Sequence, residues 1–221
     1  MTELVLLIGN KNYSSWSLRP WLALRAAGLP FREHRVPLDR PESKAELLRF
    51  SPAGKAPALR HGDLVIWDSL AICEYAAELA PDAELWPRDA AWRARARAVA
   101  CEMHSGFLPL RMTMQMNVRG RARQPVVPTP DAAADVARIE AIFEDCRAHA
   151  APSGPFLFGR FGIADCMYAP VATRFRTYGV RLSPRPQAYV DTLLAHPAFL
   201  EWEAEALREP ERMEGTDALL G

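Results

Sequence analysis

Two hydroxyl side chains, Ser14 and Ser15, stand where an apolar segment gives way to a helical pattern. Residues 4–8 are typical of a short buried strand, and the apolar spacing of residues 18–24 predicts a helix. The first N–H groups of a helix have no partner within it and carry the positive end of its dipole, so they stabilise an anion. A hydroxyl at this turn can donate a hydrogen bond to a thiolate, phosphate or carboxylate. The alternative is a serine that only caps the helix, because serine is a preferred N-cap residue.

Two later segments place further polar groups beside short strands. Pro57 cannot donate to a sheet, so it belongs at a strand start or bend, and its peptide bond to Ala56 can be cis. The main chain of Ala56 would then be free to pair with an extended peptide, although an ordinary turn proline is the simpler alternative. Asp68 and Ser69 mark another helix start, where N–H groups and a hydroxyl can hold a carboxylate and Asp68 an ammonium. Helix capping alone explains those two residues equally well.

Composition and charge exclude several classes of protein. The chain has 221 residues, of which 49% are hydrophobic and 24% charged, as in ordinary globular domains. Its 27 basic and 27 acidic residues cancel, so no basic field indicates a nucleic-acid partner. The apolar run near the N-terminus is too short for a signal peptide or a membrane span, so we expect no membrane association. The four cysteines lie far apart without metal-ligand spacing, so we expect buried free thiols, no metal site and a cytoplasmic location.

The elements that must position these residues form two domains. Residues 1–81 follow the order βαβ, then α, then ββα, which is that of a thioredoxin-like α/β domain. Its strands are expected at residues 3–8, 31–36, 58–60 and 64–66, and its helices at 15–27, 43–50 and 69–80. Residues 82–89 form a linker. Residues 90–221 form an all-α domain, with helices expected at 90–116 (bent near Gly106 and Pro109), 131–150, 163–176, 186–195 and 197–208.

Four segments together resemble the glutathione transferase family, in its order and spacing across nearly the whole chain. Residues 14–19, Ser-Ser-x-Ser-x-Arg once Trp16 is left open, are most similar to the zeta class, which includes maleylacetoacetate isomerases. Residues 51–57 look like the family's loop and cis-proline. Asp68 and Ser69 look like its pair of an acidic residue and a serine, and residues 158–165 like its folding motif before the central helix.

The chain departs from the family pattern at two positions. Trp16 stands where the zeta class has a cysteine, which argues against isomerase chemistry. Gly162 stands where the helix motif has serine or threonine, so the side-chain half of a capping box is missing. Asp165 can still accept a hydrogen bond from a main-chain N–H, so the helix start is weakened rather than lost.

The resemblance implies glutathione as the co-substrate. Ser14 would donate to its thiolate, with Ser15 as the second candidate and the Tyr13 hydroxyl as the third. Lowering the thiol pKa by two units from about 8.5 needs about 2.7 kcal/mol. A hydroxyl bond to the charged sulfur contributes about 1.5–3 kcal/mol and a helix N-terminus about 0.3–1 kcal/mol, which together suffice. The residues implied to bind the rest of the molecule are Lys55 at a carboxylate, the Ala56 main chain beside Pro57 at the cysteinyl unit, and Asp68 and Ser69 at the γ-glutamyl end.

The electrophile is expected between the two domains. Methionines adapt to varied apolar ligands, and a histidine or arginine among them can polarise a carbonyl or bind a carboxylate. The alternative is that the methionines belong to the helix core and that the histidine is an ordinary, partly buried one. The candidate lining residues are Trp16, His104, Phe107, Leu108, Arg111 and Met112.

The resemblance therefore implies a homodimeric glutathione transferase that conjugates the activated thiol to a small, apolar electrophile, and we expect it to be cytoplasmic. Trp16 supports this choice, because an aromatic wall favours flat apolar groups by about 0.5–1.5 kcal/mol. One alternative is a zeta-like isomerase, in which the thiolate adds reversibly to an unsaturated diacid. Another is a non-catalytic module that binds glutathione or a hydrophobic molecule. The cations considered for a diacid are Lys11, Arg19, Arg111 and the arginines of the 119–130 loop, for which a solvated surface role is the simpler interpretation.

Overall fold

A four-stranded sheet forms the centre of the first domain in the computed structural model, which describes residues 3–150 and 153–220. The elements in chain order are β1 Leu4–Ile8, α1 Ser15–Ala26, β2 Phe31–Arg35, α2 Ser43–Phe50, β3 Ala58–His61, β4 Leu64–Trp67 and α3 Ser69–Leu79. The strand order in the sheet is β2-β1-β3-β4, with β1 parallel to β2 and the other two pairs antiparallel. This is the predicted thioredoxin-like order, and each predicted boundary lies within about one residue of the observed one.

Strand β1 is buried along its whole length because helices cover both faces of the sheet. Leu6 belongs to the large core that includes Trp21 of α1 and Ile72 of α3. Leu7, on the opposite face, packs with Leu47 of α2 in a smaller core. A strand that is covered on both sides reads as a continuous apolar run rather than an alternating one, as the sequence of β1 does.

The second domain is built from helices. They are α4 Ala90–Ser105, α5 Leu108–Thr113, α6 Pro130–Ala150, α7 Ile163–Tyr178, α8 Pro184–Leu194, α9 Pro197–Arg208 and the short α10 Glu214–Asp217. Short 3₁₀ turns occur at Pro81–Ala83 and Ala218–Leu220. Helix α7 is buried almost throughout and packs against α1, α4 and α8. The sequence did not predict α10.

The prediction of one helix over residues 90–116 is wrong, because α4 ends at Ser105 and a separate helix, α5, begins at Leu108. Gly106 is extended and Phe107 adopts the left-handed conformation with φ of 57°, so the helical hydrogen-bond ladder cannot continue. Pro109 then lies in the first turn of α5, where a proline is tolerated because its missing N–H would have had no partner. The expected bend is therefore a full break between two helices.

Two expectations from composition meet the structure differently. Within residues 3–150 and 153–220, none of the helices is both long and apolar enough to cross a membrane. All four cysteines are free thiols, of which Cys73, Cys146 and Cys166 are buried. Cys101 on α4 is exposed, contrary to the expectation of four buried thiols.

The start of α7 explains the glycine that departs from the family pattern. Asp165 accepts a hydrogen bond from the Gly162 N–H at 2.9 Å, as predicted, and another from the Tyr189 hydroxyl at 3.0 Å. Burial, opposed by these hydrogen bonds, raises the pKa of Asp165 to about 6. A Cβ at Gly162 would lie 2.5 Å from the Leu85 carbonyl oxygen, so serine or threonine does not fit here without a backbone shift.

One buried cation, Lys11, links the two domains. The Lys11 ammonium, 3% exposed, binds Glu33 of β2 and Glu205 of α9. Glu209 accepts hydrogen bonds from the Lys11 N–H at 2.7 Å and from the next N–H along the chain, while the Trp202 indole donates to the Lys11 carbonyl. We call these five residues the domain joint. Because two carboxylates already neutralise Lys11, it is not available to a diacid, and that part of the sequence interpretation is wrong.

Candidate active site

Ser14 lies at the turn between β1 and α1, and its hydroxyl does not cap the helix. Main-chain bonds hold the turn instead. The Ser14 N–H donates to the Asn10 carbonyl at 2.8 Å, and the Ser14 carbonyl accepts from the N–H groups of Ser17 and Leu18. The Ser14 hydroxyl lies 2.7 Å from the Ser17 hydroxyl, and the residue is 6% exposed. A serine that only caps the helix does not describe this geometry.

The neighbouring hydroxyls differ in what they contact. Ser15 is the first residue of α1 and is partly buried. The Tyr13 hydroxyl donates to Asp217 at 2.9 Å and accepts from Arg119 and from the Met213 N–H. These three partners occupy the Tyr13 hydroxyl, so it is excluded as a donor to a thiolate. Ser14 and Ser15 remain as the candidates.

A cavity of about 670 Å³ lies beside this turn and gathers residues from three segments of the first domain and one of the second. It contains every residue that the resemblance implied for binding glutathione. Ser14 and Ser15 do not border it themselves but directly precede Trp16, which does. The lining residues are Trp16, Ala53, Lys55, Ala56, Pro57, Trp67, Asp68, Ser69 and Arg111.

The segment before β3 presents a main chain without partners to this cavity. The Ala56–Pro57 peptide bond is cis, as the sequence suggested. Within the described parts of the chain, the Ala56 N–H and C=O make no hydrogen bond. Lys55 is exposed at the rim. An extended peptide lying in the cavity therefore finds a free donor and a free acceptor here.

Asp68 both caps α3 and faces the cavity. Its Oδ1 accepts from the Leu70 N–H at 2.9 Å, and its Oδ2 lies 3.2 Å from His104 Nε2 of α4. Ser69 is buried, yet its hydroxyl has no hydrogen-bond partner among the residues that the structure describes. A buried polar atom without a partner is costly, so Ser69 is suited to a ligand that supplies one. Capping and ligand binding are thus compatible roles for this pair.

Trp16 is covered by cations rather than left as a bare aromatic wall. The guanidinium carbons of Arg19 and Arg111 lie 4.3 and 4.7 Å from the indole centroid, and His104 meets it edge-on at 5.3 Å. Arg19 is 1% exposed, and its Nε and Nη1 have no partner in the described residues. Burial, together with the charges of Arg174 and Arg111, lowers the pKa of Arg19 to about 9, so it remains charged at neutral pH.

Sequence reasoning missed two residues of this region. Trp67 ends β4 and borders the cavity directly before Asp68, so its position beside that residue was the available signal. Arg174 lies buried in α7, and its Nε donates to the Met114 carbonyl at 2.7 Å. Burial and the charge of Arg111 lower the pKa of Arg174 to about 10. A charged residue inside an otherwise apolar helix was the signal for it.

The other residues expected to line the electrophile pocket are dispersed. Phe107 is buried in the core, whereas Leu108 and Met112 are each 60% exposed on α5, outside the cavity lining. His104 contacts Trp16 and Asp68 at the side of the cavity. Most methionines of this region belong to the core, as the alternative interpretation held, namely Met103, Met114 and Met116.

Two of the three arginines in the 119–130 loop, Arg119 and Arg121, form hydrogen bonds within the protein. Arg119 donates to the main-chain carbonyls of Glu209 and Glu211 and to Tyr13. Arg121 donates to carbonyls of its own loop. These groups are engaged by the chain, so they do not form an anion-binding rim, and only Arg123 is exposed without such a role here.

Comparison with known proteins agrees with this architecture. Residues 13–79 match the family model for the glutathione S-transferase N-terminal domain, and residues 90–205 match that for the C-terminal domain. The chain is 40% identical over 96 residues to a probable maleylacetoacetate isomerase of Caenorhabditis elegans, a match that spans 43% of this chain and only 44% of that one. It is 27% identical over 212 residues to maleylacetoacetate isomerase of Rattus norvegicus, spanning 93% and 92% of the two chains.

A solved structure shares the fold across the whole chain. A glutathione transferase homologue from Burkholderia with bound glutathione superposes with a TM-score of 0.70 at 22% identity, covering 95% of this chain and 100% of that one. The likeness covers both the mixed four-stranded sheet and the helical domain. With both domain models matched over most of its length, the chain belongs to the glutathione S-transferase family.

Proposed function

We propose that this protein binds glutathione in the 670 Å³ cavity and holds its thiol as a thiolate through Ser14, for attack on a small electrophile. The observation that carries the proposal is convergence. Two segments that the resemblance implied for glutathione, residues 55–57 and 68–69, border one cavity, and Trp16, directly after Ser14 and Ser15 at the N-terminus of α1, borders the same cavity. A non-catalytic binding module is the weaker alternative, because it gives no role to the Ser14 hydroxyl, which does not cap α1.

Charge complementarity supports the way in which glutathione is held. Glutathione carries an ammonium group and carboxylates at its ends. The Asp68 carboxylate can pair with the ammonium, and the Ser69 hydroxyl and the N-terminus of α3 with the γ-glutamyl carboxylate. Lys55 at the rim suits the other carboxylate, and the free Ala56 main chain suits the peptide between them.

The position of Ser14 supports thiolate formation. Its hydroxyl lies at the N-terminal end of α1, so a sulfur beside it meets both a hydrogen-bond donor and the positive end of the helix dipole. A charged hydrogen bond of about 1.5–3 kcal/mol corresponds to about one to two units of thiol pKa. Together with about 0.3–1 kcal/mol from the helix N-terminus, this lowers a thiol pKa of about 8.5 by about two units, which leaves the bound thiol largely ionised at neutral pH.

Ser14→Ala is expected to raise the pKa of bound glutathione by about one unit or more, because the charged hydrogen bond is lost. Ultraviolet titration of the thiolate in the complex measures the shift. Ser15→Ala is the matched control and should leave the pKa unchanged. The reverse pattern would move the role to Ser15, and no shift in either variant would rule out activation by a serine.

Asp68→Asn is expected to weaken glutathione binding about tenfold with little change in melting temperature. Asparagine caps a helix as well as aspartate does, so the exchange removes the charge and keeps the cap. Asp89→Asn is the control, because Asp89 caps α4 through the Trp92 N–H at 2.9 Å and lies outside the cavity. Calorimetry that gave Asp68→Asn and Asp89→Asn the same affinity for glutathione would leave Asp68 with capping alone.

The electrophile that we propose carries a carboxylate, which departs from the apolar electrophile favoured by the sequence. The Trp16 indole contacts two guanidinium groups, so it offers less surface for stacking than a bare ring. Arg19 and Arg174 have guanidinium nitrogens without partners among the described residues, and Arg111 borders the cavity. A carboxylate in the cavity would be held by Arg111 and attracted by the buried charges of Arg19 and Arg174, which lie outside the cavity lining. Isomerisation of an unsaturated diacid is the second candidate reaction, supported by the same arginines and by the similarity to maleylacetoacetate isomerases.

Arg111→Gln is expected to lower kcat/KM about tenfold for an electrophile that carries a carboxylate, because its charged hydrogen bond is worth about 1.5 kcal/mol or more. The kcat/KM of the same variant for a neutral aromatic halide should equal that of the unmodified protein. Arg123→Gln, on the exposed part of the loop, is the control for loss of charge alone. Rapid conjugation of the halide, with no turnover of a maleyl diacid or another carboxylate, would restore the apolar substrate class.

A cytoplasmic homodimer is also part of the proposal, on the strength of the family resemblance. Leu64 and Trp67, each about half exposed on β4, give apolar surface beside the cavity that a second copy of the chain can cover. Light scattering at micromolar concentration should give twice the 24.7 kDa mass of one chain. A mass of one chain under those conditions would end the dimer proposal.

A further inference from the structure

A second hydroxyl, that of Ser17, lies beside Ser14 and outside the cavity lining. Ser17 is fully buried, and its Oγ lies 2.7 Å from the Ser14 Oγ. The Gly9 N–H, at the end of β1, donates to the same Ser17 Oγ at 3.1 Å. The Gly9 N–H, the Ser17 hydroxyl and the Ser14 hydroxyl thus form a chain of hydrogen bonds between the end of β1 and the first turn of α1.

The numbers of available protons and acceptors decide which of the two serine hydroxyls donates to the other. The Gly9 N–H occupies one lone pair of the Ser17 oxygen, and Ser17 has a single hydroxyl proton of its own. Among the described residues, the Ser14 oxygen is the acceptor that this proton contacts. A fully buried hydroxyl that does not donate loses free energy, so Ser17 donates to Ser14 rather than the reverse. The proton of Ser14 is then free for another acceptor.

We propose that Ser17 is a positioning residue that keeps the Ser14 hydroxyl proton directed at the glutathione thiolate. The inference rests on the proposed function, in which Ser14 is the donor to sulfur. The hydrogen bonds run from the Gly9 N–H to Ser17, from Ser17 to Ser14 and from Ser14 to the thiolate. Each bond polarises the next, so the last one is stronger than an isolated hydroxyl would make.

The backbone around this chain of hydrogen bonds is built for close approach. Ser14 and Ser17 are three residues apart at the helix start, a spacing that places both side chains on one face. A Cβ at Gly9 would lie 2.6 Å from Leu38 Cδ1 and 3.1 Å from Ser14 Cβ. A residue with a side chain at position 9 would therefore displace the Leu38 side chain and crowd Ser14. Glycine keeps the Gly9 N–H within reach of Ser17.

The test is thiolate titration of bound glutathione in Ser17→Ala. We expect the thiol pKa to rise by about 0.1–0.7 unit, the share that cooperative strengthening adds to a charged hydrogen bond. Ser14→Ala should give the larger shift, and the double variant should match Ser14→Ala, because Ser17 acts only through Ser14. Should Ser17→Ala fail to fold, Ser17→Cys is the second variant. It keeps a similar volume and a weak acceptor for the Gly9 N–H, but its S–H is a much weaker donor than a hydroxyl. The thiol pKa of bound glutathione should therefore rise in Ser17→Cys as well.

Ser43→Ala is the matched control for loss of a buried hydroxyl. Ser43 donates to the Pro37 carbonyl in the same domain, outside the cavity, so its loss should lower stability and leave the thiol pKa unchanged. An unchanged thiol pKa in Ser17→Ala, or an equal further shift when Ser17→Ala is added to Ser14→Ala, would overturn the inference. An unchanged pKa in Ser14→Ala itself would instead overturn the proposed role of Ser14.

Discussion

The buried ammonium of Lys11 sets the geometry on which the site depends. A charge that is almost fully removed from water is stable only when it is paired, since an isolated buried charge is very costly. Its carboxylates come from β2 and from α9, while Glu209, just beyond α9, binds the main-chain N–H groups of the turn itself. The need to neutralise one cation therefore holds the sheet, the helical domain and the turn before α1 in a single arrangement.

Side-chain amides extend this arrangement towards the electrophile. Asn12, next to Lys11, donates to Asn117 at 2.9 Å and accepts from the Arg119 N–H at 2.8 Å, and Asn117 donates on to Asp217. These bonds fasten the turn to the chain just after α5. The first turn of α1, which carries Trp16, is thereby fixed relative to the helix that carries Arg111. In the proposed function, the spacing between the thiolate and its electrophile is therefore set by groups that contact neither.

The parts of this protein that were predictable are those decided by neighbouring residues. The order of strands and helices, the proline at the start of β3 and the capping pair at α3 all follow from short patterns around Pro57 and Asp68. The expectations about Lys11 and Tyr13 failed because they depend on distant partners. Lys11 is paired with Glu205, and Tyr13 with Asp217, across most of the chain. No local pattern announces such partners, so a free cation and a free hydroxyl were inferred where both are occupied.

The buried arginines connect the stability of the fold to what it binds. Arg19 and Arg174 hold charges out of water in the field of Arg111, which costs free energy of folding and lowers the pKa of both groups, chiefly through burial. Their lowered pKa values stay well above 7, so the charges persist at neutral pH. In the proposed function, an anion in the cavity beside Arg111 recovers part of that cost by binding. A proposed thiolate and a proposed carboxylate both meet this need, so one positive potential would both ionise glutathione and select the electrophile. Trp16 then acts as a support on which two guanidinium groups rest beside the cavity. An indole at the position of a small thiol is for this reason compatible with anionic substrates.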